Sequence, residues 1–117
     1  MAEALTASAL LAVSLGVVFD AIIDGRRMVQ DAASRSLAMR VAQDITERER
    51  TRSYATLSNV AEVAVPDAPG MTAEVVVTPE TFTGGGMSYS VRNVETRIRY
   101  RYRGATTVLR VTMVRAP

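Results

Sequence analysis

Residues 4–19 read ALTASALLAVSLGVVF, an aliphatic run broken only by Thr6, Ser8, Ser14 and Gly16. A stretch of about sixteen residues at 1.5 Å rise makes about 24 Å of helix, just short of the ~30 Å hydrocarbon core of a bilayer. Ala2 extends it backwards, and Ala21, Ile22 and Ile23 extend it forwards past Asp20. Glu3 stands at the start of this segment, where lipid tolerates an ionised group only near the interface or beside a partner. A cleavable secretory signal would open with basic residues and end at a small-residue cleavage site. This run has no basic flank before it, and the helical pattern continues beyond it.

Working outward, no proline precedes Pro66, and the residues from Asp20 to about Asn59 are mostly good helix formers, with Gly25 the weak point. Ala33, Leu37, Val41 and Ile45, with Ala38 and Ala42, form an apolar stripe at helical spacing. Arg40, Asp44, Glu47, Arg48 and Arg50 fall largely elsewhere, and Asp44 with Arg48 is a candidate i,i+4 pair. The spacing therefore predicts one helix, apolar all round over residues 1–24 and amphipathic over residues 25–59.

Residues 60–117 change character and are expected to form a β-sheet head region. Pro66, Pro69 and Gly70 mark a turn-rich connection. Ala73, Val75 and Val77 suggest a short strand, Thr78–Gly86 with its three glycines a loop, and Tyr89 with Val91 a second strand. The strongest alternation puts Val94, Thr96, Ile98, Tyr100 and Tyr102 on one face, opposed by Glu95, Arg97, Arg99, Arg101 and Arg103. A turn at Gly104 and Ala105 then leads to Leu109, Val111 and Met113, so the last two strands should form a hairpin. The predicted fold class is α+β: a long N-terminal helix packed against a small antiparallel sheet of three to four strands, in one functional unit.

The chain of 117 residues has no cysteine and no histidine, which removes disulfides, thiol nucleophiles, Cys/His zinc sites and the commonest general base. Its serines have no histidine for a standard triad, and Glu47 with Glu49, two apart on a helix, do not face each other. Gly84, Gly85 and Gly86 lack the lysine and hydroxyl residue of a phosphate-binding loop. Neither catalytic activity, nor a cofactor, nor a metal is expected. The formal net charge of +2 makes no bulk demand for a polyanionic partner. All basic residues are arginine.

The stretch MAEALTASALLAV at residues 1–13 resembles the mature N terminus of type IV pilins and of type II secretion pseudopilins, in which a glutamate sits just inside a long aliphatic helix. The resemblance implies a precursor held in the inner membrane, with a basic leader removed by prepilin peptidase and the new terminal residue methylated. On this alignment about two mature residues and the leader precede Met1. It also implies assembly by inner-membrane machinery into a homo-oligomeric helical filament, alone or with other pilins, serving adhesion, motility or DNA uptake as an extracellular pilus. Glu3 matches the family's glutamate, whose partner is the N-terminal amine of a neighbouring subunit. Leu5, Ala9, Leu10, Ala12, Val13, Gly16 and Val17 would pack the filament core. The proline common near the end of the family's apolar segment and the C-terminal disulfide of many members have no counterpart here.

Two alternatives stay open. One is a pseudopilin in a periplasmic filament. The other is a membrane-anchored domain whose arginines Arg97, Arg99, Arg101, Arg103 and Arg110 grip a polyanion such as nucleic acid. Those arginines serve equally as a solvated face or as contacts between subunits. Tyr100 and Tyr102 alternate to the other side, which leaves the arginine face without stacking groups.

Overall fold

The computed structural model describes all 117 residues, Met1–Pro117. One helix, α1 (Ala2–Thr51), is followed by a short 3-10 turn (Tyr54–Thr56) and four strands: β1 (Val60–Ala64), β2 (Thr72–Gly84), β3 (Met87–Tyr102) and β4 (Ala105–Arg115). The strands make one antiparallel sheet in the order β1-β2-β3-β4, so every connection joins neighbours. The α+β class read from the sequence is the observed one. Residues 1–33 and 34–117 form two compact units, each taken by itself below.

In residues 34–117 the last turns of α1 lie on one face of the sheet. Ala38 and Ala42 are completely buried, and their small side chains let the helix backbone approach Met71, Ala73, Ile98 and Tyr100 closely. Val41 and Ile45 flank this contact, whereas Leu37 remains exposed. The buried stripe is thus rotated from the expected one, running Ala38, Ala42, Ile45 and Glu49 rather than through Leu37. A second cluster joins Leu57, Val75 and Val94. The alternation of β3 reads out directly, with Val94, Thr96, Ile98 and Tyr100 buried and the intervening residues more open.

Four expectations are corrected. The helix ends at Thr51, not near Asn59, because the chain turns at Tyr54–Thr56 and is held there by arginines from the sheet. Asp44 and Arg48 form no ion pair; the pairs along the helix and its end are at i,i+3, Arg27 with Asp24 at 3.9 Å, Arg50 with Glu47 at 3.0 Å and Arg52 with Glu49 at 3.4 Å. Thr78–Gly86 is not a loop, since β2 runs through it in unbroken register with β3 as far as Gly84 opposite Met87. Only Gly85 and Gly86 turn, with φ of 60° and 79°, the left-handed pair that a two-residue hairpin demands. The β3–β4 turn is likewise Arg103-Gly104, φ 52° and 75°, and Ala105 already pairs with Tyr102.

The connection after β1 is two successive tight turns. Ala68 N–H donates to Val65 O across Pro66-Asp67, and Met71 N–H donates to Ala68 O across Pro69-Gly70. Proline followed by a residue of positive φ (Asp67 at 61°, Gly70 at 77°) is the signature of a type II turn. These turns deliver Ala68 and Met71 into the core.

Candidate functional site

Within residues 1–33, residues 4–19 present an apolar helical surface. The most apolar 18-residue window of α1 has a mean hydropathy of 2.0 and is 0% buried, long and apolar enough to cross a membrane. Leu5, Leu10, Val13 and Val17 are each about two-thirds exposed, at 71%, 69%, 67% and 65%. At 100° per residue Leu5, Ala9, Ala12 and Gly16 share one line of the helix, and a Cβ added at Gly16 would meet nothing within 4 Å. Leu10, Val13 and Val17 lie on an adjoining line, and Glu3 is in heptad step with Leu10, Val17 and Asp24.

The polar side chains within this run are satisfied locally. Ser8 donates to Ala4 O at 2.6 Å, Ser14 to Leu10 O at 2.7 Å, and Thr6 to Ala2 O and Glu3 O at 3.1 and 3.0 Å. Hydroxyls bonded back onto the helix present carbon to the surroundings, so the surface from Ala4 to Phe19 asks for no water. Glu3, in the first turn, lies where the helix dipole favours an anion. Such a helix is consistent with membrane anchoring.

The second candidate is the face of the sheet opposite the helix, where the arginines gather. Apart from Arg101, which is exposed with no ion pair, they are not a free cationic row. Arg99 meets Glu62 at 2.6 Å, and Glu62 also accepts from Thr72 at 2.5 Å. The Thr72 hydroxyl bond first, and the charge of Arg99 after it, hold the Glu62 carboxyl below the usual carboxylate range. Arg97 donates to Glu95 at 2.5 Å and lies 3.6 Å from Glu74, while Arg110 approaches Glu95 at 3.8 Å. The Arg97 hydrogen bond likewise holds Glu95 low, with the charges of Arg97 and Arg110 adding to it. Glu95, in turn, raises the affinity of Arg97 for its proton. Arg103, in the turn, stacks on the Tyr102 ring at 5.4 Å.

Sheet register produces this network. Glu74 of β2, Arg97 of β3 and Arg110 of β4 are direct cross-strand neighbours. The partner carboxylates Glu62 and Glu74 went unread in the sequence, because nothing local tells that Glu62 belongs to a strand flanking β2.

A third polar group, also unforeseen, sits where the helix ends. Arg92 donates to Tyr54 O at 2.5 Å and Leu57 O at 3.0 Å, with its guanidinium 4.5 Å from the Tyr54 ring centre. Arg115, its cross-strand neighbour, donates to Arg52 O at 3.1 Å. Glu49, buried at the end of the helix, meets Arg52 at 3.4 Å and has its other carboxylate oxygen unpartnered. Arg115 thus covers a carbonyl at the helix end, where a cation complements the helix dipole, and Arg92 ties down the 3-10 turn that follows it.

A cleft of 340 Å³ between α1 and β1 is lined by Val41, Asp44, Ile45, Arg48, Val63 and Pro66. No group of three or more acidic, histidine or cysteine side chains is placed to hold a metal ion. Comparison with protein-family models, with curated proteins and with solved structures finds no match to this chain.

Proposed function

We propose that the chain is a non-catalytic structural subunit of the type IV pilin class, inserted in the inner membrane and then assembled through its N-terminal helix into a helical filament. The observation that carries this reading is the wholly exposed apolar surface of residues 4–19 with Glu3 at its head. Hydroxyls bonded inward make that surface suited equally to lipid and to other helices. A carboxylate at its start needs a cationic neighbour once water is excluded, and the N-terminal amine of an adjacent subunit supplies one while fixing axial register. The small residues Ala9, Ala12 and Gly16 permit close helix approach.

The sheet supports a coat rather than a grip on polyanions, because Arg97, Arg99 and Arg110 already face carboxylates of the same chain. The assembled form belongs at the cell surface as a pilus, or in the periplasm as a pseudopilus. Electron microscopy of sheared surface material, with mass spectrometry of the N-terminal peptide, tests the reading. Thin fibres containing this chain with a methylated terminus are expected, and Glu3→Leu should abolish fibres while leaving the chain in the membrane. Unassembled chain confined to membranes in the unaltered protein would overturn it.

A further inference from the structure

The free edges of the sheet differ in how they are protected. β1 is five residues long, bulged between Val60 and Val63, and followed by Pro66. Beyond β1, the free edge of β2 is interrupted by Pro79, and its Val77 N–H is already taken by Asn59 Oδ1 at 2.6 Å. Bulges, proline and short length are the usual means of preventing strand addition. β4 has none of them. It runs eleven residues in regular register with β3, and Arg110 is its only charge before the final Arg115.

The two-residue turn at Arg103-Gly104 fixes which backbone groups of β4 are free. Tyr102 and Ala105 flank that turn as a hydrogen-bonded pair, so Thr107, Leu109, Val111, Met113 and Arg115 also bond to β3. The N–H and C=O groups of Thr106, Val108, Arg110, Thr112 and Val114 therefore point away from the sheet. On the helix-facing side, Leu109, Val111 and Met113 stay only half-buried, while their β3 neighbours Ile98, Thr96 and Val94 are fully buried. The core is unfinished along this edge.

We infer that β4 pairs antiparallel with β4 of a second copy of this chain, about a two-fold axis at Val111. Three symmetric registers use the free groups while keeping most of β4 paired, centred on Leu109, Arg110 or Val111. Centring on Arg110 sets the two Arg110 side chains directly opposite, and like charges there are destabilising. Centring on Leu109 puts Thr107 against Val111 and leaves Met113 opposite only the methyl of Ala105. Centring on Val111 opposes Leu109 to Met113 twice and Val111 to itself on the inner face. On the outer face it opposes Val108 to Val114 and Arg110 to Thr112. Every half-buried aliphatic residue gains an aliphatic partner, and Arg110 keeps Glu95. The contact is isologous.

The chain lacks cysteine, so single cysteines report the register cleanly. The full chain in detergent micelles, at low micromolar concentration under mild oxidation, is read on a non-reducing gel. Val111→Cys should give a covalent dimer at least fivefold more efficiently than Leu109→Cys or Met113→Cys, whereas those two mixed should cross-link to each other. Thr112→Lys, placed opposite Arg110 of the second copy and beside Glu95 of its own, should cut the Val111→Cys dimer severalfold without lowering the unfolding midpoint. Circular dichroism checks that each variant folds. Equal cross-linking at all three positions, or none in folded Val111→Cys, would overturn the pairing, and neither result bears on whether the helix forms a filament.

Discussion

Arg92 does more for residues 34–117 than its place on an arginine-rich strand suggests. Its guanidinium joins two carbonyls at the end of the helical segment and covers the Tyr54 ring. Arg92→Ala should cost about 2–3 kcal/mol from lost charge-assisted hydrogen bonds and the ring contact, measured by urea unfolding, with Arg92→Lys recovering part. The carboxylates Glu62 and Glu95 behave differently, being bridged at the surface rather than buried. Their folded-state pKa values are depressed, so they contribute stability that is complete above the ordinary carboxylate range. That contribution is lost as pH falls through the depressed values. The unfolding midpoint should therefore drop between neutral pH and about pH 3, and Thr72→Val with Arg99→Ala should flatten the drop.

At the scale of elements, Gly25 lies inside α1 with nothing within 4 Å of where a Cβ would stand. Gly25→Ala should stabilise the helix by about 1 kcal/mol, read as a higher melting temperature of the helical circular-dichroism signal. The long helix and the β3–β4 hairpin were legible in the sequence because each repeats one period over many residues. β1 was not, since its bulge between Val60 and Val63 breaks the period of two. The distal half of β2 was misread for a related reason, and Tyr89 with Val91, read as a strand of its own, is continuous with the rest of β3. Thr81, Phe82, Ser88 and Tyr89 are exposed, so no buried face writes an alternation there, and the three glycines read as a loop. The early helix end was hidden because Arg92 and Arg115, which hold it, come from distant strands. The arginine row itself was visible, but its neutralisation depends on cross-strand register, which β3 alone does not reveal.

For the whole molecule, the small core carries the fold of residues 34–117. Ile98 is completely buried between the helix alanines and the sheet. Ile98→Ala should cost about 2–5 kcal/mol in denaturant unfolding, enough to threaten a domain whose total stability is about 5–15 kcal/mol. The charges are distributed unevenly: Glu3, Asp20, Asp24 and Asp31 outnumber Arg26 and Arg27 before residue 34, and arginines dominate after it. With Arg97, Arg99 and Arg110 bridged internally, the chain should elute from immobilised heparin below about 0.15 M salt, where weak unpaired surface charge is screened. Retention well above that concentration would favour a polyanion-binding domain. The hairpin tip beyond Thr78 and Val91 carries a last consequence. It has strand geometry but no sheet neighbours, and Gly85 and Gly86 face open space. An epitope tag or a fluorophore-labelling peptide inserted between Gly85 and Gly86 would therefore disturb no packed side chain, giving a handle for following the chain in living cells.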